Sequence, residues 1–156
     1  MSEGGDFLAR IVGALEQAQI PHMVAGSFAS THHGVPRTTH DIDLVIDPTI
    51  EALRAFVASL PSDAYYVNEE ASIDALRRRS TRARLIGTDV FVATPEDTIL
   101  SKLEWSLMSG SERQLRDVAG VVEVKGDALD VGYIERWAEE IGVLDLWRRV
   151  IASMGP

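Results

Sequence analysis

Apolar residues at three- and four-residue spacing open the chain: Phe7, Leu8, Ile11, Val12 and Leu15 predict an amphipathic helix over residues 6–18. Pro21 ends the linker that follows. His22-Met23-Val24-Ala25 is then a short apolar strand, which Gly26-Ser27 turns into a helix starting near Phe28 and broken by Gly34-Val35-Pro36. The run from Asp41 to Ile46 is aliphatic and β-branched after its two aspartates and predicts a second strand. Asp47-Pro48-Thr49 stops it and caps a helix over 50–59. Ala64-Tyr65-Tyr66-Val67 fits an edge strand and residues 69–79 fit a helix. Ala83-Arg84-Leu85-Ile86 and Asp89-Val90-Phe91-Val92 flank Gly87-Thr88, the pattern of a tight hairpin.

The pattern becomes helical from Thr94 onward. Thr94-Pro95-Glu96-Asp97 combines a capping hydroxyl, a proline at the first helical position and acids in the first turn. Ile99, Leu100, Leu103 and Leu107 form the apolar stripe of that helix. Ser109-Gly110-Ser111 breaks it, and three more helices follow, to about Val124, over 131–141 and over 144–152. The expected class is therefore α/β (α+β): a small mixed sheet with flanking helices over 1–93 and a helical region over 94–156, packed as one compact unit.

Composition narrows the setting. The chain has 156 residues, no cysteine and a net charge of −9. Its length suits one domain. The missing cysteines exclude disulfides and thiolate zinc sites and suit a reducing compartment. The start, Met1-Ser2-Glu3-Gly4-Gly5-Asp6, lacks the basic and apolar runs of a signal peptide, and no stretch reaches the roughly 18 apolar residues of a membrane helix. A cytoplasmic location without membrane contact is expected. The negative charge disfavours non-specific duplex binding. Arg77, Arg78, Arg79, Arg82 and Arg84 nevertheless form a basic stretch, a candidate for an RNA backbone or simply a solvated surface balancing the acids.

Two segments carry candidate chemistry. On one strand, Asp41 and Asp43 would project to the same face, where their like charges repel unless a cation lies between them. Paired carboxylates suit magnesium completed by substrate phosphates. Strand, Gly26-Ser27 and helix in succession suit a phosphate: glycine admits close approach and free N–H groups at the helix start favour an anion. Each feature has a plainer counterpart, namely a solvated strand end and an ordinary helix cap.

Val24-Ala25-Gly26-Ser27 followed by Arg37-Thr38-Thr39-His40-Asp41-Ile42-Asp43-Leu44 resembles the signature of the DNA polymerase β-like nucleotidyltransferase superfamily. The segments 94–103 and Arg113-Gln114-Leu115-Arg116-Asp117-Val118 resemble bacterial nucleotidyltransferase-like proteins akin to abortive-infection type IV toxins. The resemblance implies a nucleotidyltransferase-type sheet and transfer of a nucleoside monophosphate from a nucleoside triphosphate to a hydroxyl of RNA, such as tRNA, or of a protein. It implies Mg2+ (or Mn2+) on Asp41 and Asp43, nucleotide phosphates on Gly26 and Ser27, and further roles for Lys102 and Asp117. Arg37 is a candidate to hold phosphate as a bidentate hydrogen-bond donor. An antitoxin partner is in keeping with the resemblance, and a homodimer would cover the sheet edge that a missing strand exposes.

The plainer counterparts remain open: a surface lysine for Lys102, an Asp117 paired with Arg113 or Arg116, and an Arg37 that merely shields the acidic pair. His32, His33 and His40 read as solvated residues in preference to ligands, and Trp105, Trp137 and Trp147 as core or interface residues.

The chain departs from the superfamily pattern at the third carboxylate, expected on a strand well upstream of Thr94-Pro95-Glu96-Asp97. Asp89 is the candidate here, directly after a hairpin turn, and the stretch near 79–84 is shortened. A nucleotide-binding or partner-binding member with weak or no catalysis is therefore the alternative to an active enzyme.

Overall fold

The structure, a computed structural model, describes residues 3–61 and 80–155. The strand expected at 64–67, the helix at 69–79 and Arg77, Arg78 and Arg79 lie outside the described residues. Among the described residues the fold is mixed α+β, with a four-stranded sheet, seven α-helices and a short 3-10 turn. No helix is long and apolar enough to cross a membrane among these residues. The chain forms two compact units, one of residues 1–24 and 44–92, the other of residues 25–43 and 93–156.

The first unit holds α1 (Glu3–Gln17), nearly all of the sheet and α3 (Ile50–Ser59). The α1 stripe is as its spacing predicts: Leu8, Ile11, Val12 and Leu15 are all buried. The strands β1 (His22–Ala25), β2 (Asp43–Ile46), β3 (Ser80–Leu85) and β4 (Thr88–Ala93) lie in the order β2-β1-β4-β3. The central strands β1 and β4 run parallel, with Val24 opposite Val92, and both valines are fully buried. β1 is buried from Met23 to Ala25, whereas β4 alternates, with Val90 and Val92 buried and Phe91 exposed, and the outer strands β2 and β3 stay partly open.

Several boundaries differ from the sequence expectation, β3 for instance beginning at Ser80 and not at Ala83. β2 begins at Asp43, leaving Asp41 and Ile42 in irregular backbone before it. The β3–β4 turn is centred on Ile86-Gly87, with φ of 46° and 82°, one residue before the expected pair. Positive φ at both central residues matches the strand twist of a two-residue hairpin, and the isoleucine there bears the steric cost. Thr49 caps α3 as expected, its hydroxyl accepting from the Ala52 amide at 3.2 Å.

The second unit holds α2 (Gly26–His33), α4 (Pro95–Ser109), α5 (Glu112–Lys125), α6 (Val131–Glu140) and α7 (Leu144–Met154). α2 starts at Gly26 itself, two residues earlier than expected. The predicted start of α4 is realised in detail: the Thr94 hydroxyl accepts from the Asp97 amide at 3.3 Å and Pro95 occupies the first turn. Gly110 ends the helix in the left-handed conformation at φ 67°.

Ile99, Leu103, Val118, Val121, Ile134, Val143 and Trp147 centre the core of this unit. The α4 stripe stops short of its predicted length, because Leu107 is 56% exposed. Ser106 is buried instead, its hydroxyl donating to the Ser111 carbonyl at 3.0 Å and tying down the α4–α5 turn. Of the tryptophans, Trp147 is core, Trp137 is half-buried and Trp105 is exposed.

Candidate functional site

The site residues 26, 27, 37, 41, 43, 102 and 117 all belong to the second unit. Gly26 begins α2 with φ of 58°, a region that side chains rarely adopt. A methyl group added there would overlap the Asp43 carboxylate. Two independent constraints thus require glycine: the backbone angle and the acidic side chain lying against it. The start of α2 has neither a side-chain cap at Ala25 nor an acid in its first turn. Its free amides and the positive end of its dipole therefore remain available to an anion.

Beside that start, Ser27 sits in a charged cluster. Arg37 grips Asp117 with both arms of its fork, Nε to Oδ1 and Nη2 to Oδ2, each at 2.9 Å. Nη2 also donates to Ser27 Oγ at 2.7 Å. Lys102 Nζ donates to Asp117 Oδ2 at 2.9 Å and to Ser27 Oγ at 3.4 Å. The side chains of Lys102 and Asp117 are 7% and 9% exposed, so the ions are paired inside the unit and not on its surface. Burial pushes the Asp117 carboxyl up, but the hydrogen bonds from Arg37 and Lys102, with their charges, outweigh it and hold it below its ordinary value.

Backbone crossing brings these distant residues together. Gly34 follows α2, and a methyl group there would press on the backbone of Gly120 and Val121 in α5 at 2.8–2.9 Å. Gly120 likewise lies against Val35. Arg37, three residues past Gly34, then reaches Asp117, one turn before Val121 on the same face of α5. The sequence pattern predicts Gly34 as a helix breaker only. The one available signal was Gly120 inside a helix, where glycine costs about 1 kcal/mol relative to alanine and needs a packing reason.

Of the plainer counterparts, Lys102 on the surface and Asp117 paired with Arg113 or Arg116 are not what the structure shows; Arg113 and Arg116 are exposed. Asp41 and Asp43 are exposed, and neither carboxylate has an ion-pair or hydrogen-bond partner among the described residues. Because Asp41 precedes β2, strand alternation orients Asp43 only, and the shared face inferred from the spacing does not follow for Asp41. Asp89, in the first unit, pairs with Arg84 at 3.3 Å on the open hairpin. Arg82 stacks on the Phe91 ring at 5.2 Å. Among the described residues no three histidine, aspartate or glutamate side chains gather into a self-sufficient metal site.

His33 is structural. It is 2% exposed, and its Nε2 lies 2.7 Å from the Ala93 carbonyl. The tautomer that donates there leaves Nδ1 as an unprotonated lone pair, the less costly orphan in a buried place. Burial lowers its pKa against the opposing hydrogen bond, so the ring is held neutral.

Fold and comparison agree on the class, a nucleotidyltransferase-like architecture. A crystal structure described as an antigenic nucleotidyltransferase-like protein from Paracoccidioides brasiliensis is similar to this chain over 96% of its length and 93% of the other's, with a TM-score of 0.59 and 15% identity. At that identity the likeness carries the fold and nothing further. No protein-family model matches the sequence, and no curated protein does.

Proposed function

We propose that this chain is a metal-dependent nucleotidyltransferase, passing a nucleoside monophosphate from a nucleoside triphosphate to an RNA or protein hydroxyl, in the manner of the toxin-like relatives it resembles. The observation that carries this reading is the joint placement of an uncapped helix start at Gly26-Ser27, the cations Arg37 and Lys102 at Ser27, and Asp43 against Gly26. Two cations against one carboxylate leave the cluster net positive. Ser27 Oγ accepts from both cations, which uses both lone pairs and leaves its hydrogen for an acceptor. A phosphate oxygen is such an acceptor.

The donor set fits a divalent cation in part. Asp41 and Asp43 are hard oxygen ligands without internal partners, and Mg2+ commonly takes one or two carboxylates with phosphates completing its shell. Bound there, it would neutralise charge on the reacting phosphoryl group. In the proposed reaction the acceptor hydroxyl releases its proton to solvent, its oxygen forms a bond to the α-phosphorus as the bond to the bridging oxygen breaks, and pyrophosphate leaves. Gly26, Ser27 and Arg37 hold the departing phosphates.

The test is transfer of label from α-labelled nucleoside triphosphates, with Mg2+ or Mn2+, to tRNA or lysate protein. Asp41→Ala and Asp43→Ala should each reduce transfer at least about a hundredfold, the several kcal/mol a metal contributes to such a transition state. Equal transfer by these variants removes the proposal.

One observation favours a second reading, a nucleotide-binding protein without turnover. Asp89, the candidate third carboxylate, pairs with Arg84 on the exposed hairpin, and no three-carboxylate cluster exists among the described residues. Calorimetric nucleotide binding without product formation under the same conditions would select it.

A further inference from the structure

The Ser27 cluster contains one group that a simple anion site would omit. Arg37 and Lys102 alone would attract a polyphosphate, and Asp117 between them opposes it. Yet Asp117 is firmly held in the cluster, accepting three hydrogen bonds at 2.9 Å. Its bond to Arg37 is a two-armed fork, which fixes the plane of the guanidinium as well as its place. Lys102, 7% exposed, pairs with the same carboxylate at 2.9 Å, which gives its buried charge a counter-ion.

Besides the third N–H of Lys102, two donors are left over by this arrangement. One is the Ser27 hydroxyl hydrogen, since both lone pairs of that oxygen are taken. The other is Arg37 Nη1, buried and without a hydrogen-bond partner among the described residues. A buried donor left unpaired needs an explanation in a folded protein, and an external anion supplies one. With Nε and Nη2 fixed by Asp117 and Ser27, the direction of Nη1 is fixed too.

We infer that Asp117 is a positioning residue that raises the affinity of the site for a polyphosphate in spite of its own negative charge, by aiming Arg37 and Ser27 as a paired donor toward one phosphoryl group. Lys102 acts within the cluster as the internal counter-ion, so that the unspent charge and donors of Arg37 face the ligand. The inference rests on the phosphate reading given above.

Sign, not size, separates this from an electrostatic role. Calorimetric titration of the full chain with inorganic tripolyphosphate should show Asp117→Asn binding about tenfold or more weakly than wild type, roughly the loss of one charge-assisted hydrogen bond, although the variant is one charge more positive. Asp117→Glu keeps the charge but displaces the fork, and should weaken binding similarly. Arg37→Lys keeps the charge without the planar fork and should also lose about tenfold. Equal or tighter binding by Asp117→Asn, or unchanged binding by Asp117→Glu, overturns the inference.

A ligand-free measurement separates the two claims. The Arg37 Nε–H resonance should exchange slowly with solvent in wild type and rapidly in Asp117→Asn and Asp117→Glu. If wild type binds no tripolyphosphate, the phosphate reading fails, and a resonance equally protected in all three proteins overturns the positioning role independently.

Discussion

The two halves of the candidate site are built in opposite ways. Around Ser27, the charges of Arg37, Lys102 and Asp117 are paired and largely buried, held by bonds of 2.7–3.4 Å. At Asp41 and Asp43 the charges are exposed and have no partner among the described residues. The basic half is thus part of the folded unit before any ligand arrives. The acidic half bears on folding only where Asp43 rests on Gly26. Under the proposed function the contrast has a physical reason: groups that would grip a phosphate are fixed by folding, whereas carboxylates that would hold a hydrated cation can stay open to water.

If the contrast holds, its largest consequence is in stability. Asp117→Ala strands Arg37 and Lys102 and should cost about 3–5 kcal/mol in urea unfolding, the typical loss on breaking a buried pair. Asp41→Ala should stay within about 0.5 kcal/mol, as surface changes do. A comparable cost for both would erase the distinction between the halves.

Gly26→Ala joins the halves in one substitution. The left-handed backbone angle alone should cost about 1–2 kcal/mol. The added methyl also displaces the Asp43 carboxylate, so metal-supported nucleotide binding should fall together with stability, as paired unfolding and calorimetry would show. Ser27→Ala is gentler, at about 1 kcal/mol for lost hydrogen bonds, with the larger share of its effect on phosphate affinity.

The smallest effects are in pH dependence. Asp117 has a lowered carboxyl pKa, so its stabilisation is fully present above the unfolded value of 3.8 and is lost as pH falls below it toward the lowered folded value. Unfolding curves between neutral and strongly acidic pH should flatten over that window in Asp117→Asn. His33, held neutral by burial, gives stability above its unfolded value of 6.5 that is lost as pH falls through and below it, because the unfolded chain then binds the extra proton. His33→Gln, which can keep a donor to the Ala93 carbonyl, should remove that slope and leave the Asp117 window intact.

Much of the fold was legible in order of residues. The α1 stripe, β1, the Thr94-Pro95 start of α4 and the last three helices all fall where periodicity and capping place them. Failures came where local pattern is weak. Leu107 continues the α4 spacing but lies in the last turn beside exposed Trp105 and Met108, where no apolar surface among the described residues covers it. Asp41 continues the β2 pattern but lies in irregular backbone before the first strand residue. The candidate site was legible as Gly26, Ser27 and the two aspartates, and as a set of further residues whose connections were open.

The chain order by itself determined the helices and strands, the glycine turn and the acidic pair, because helical and strand periods are local and a cap or turn spans only a few residues. Tertiary structure decided the rest: that residues 25–43 fold with 93–156, that Gly34 passes against Gly120, and that Asp117 answers Arg37 from 80 positions away. With 24 acids and 15 lysines and arginines in the chain, charge alone could not select that pair. Helix packing selects it, because attraction between ions acts over a few ångströms and carries no memory of sequence distance.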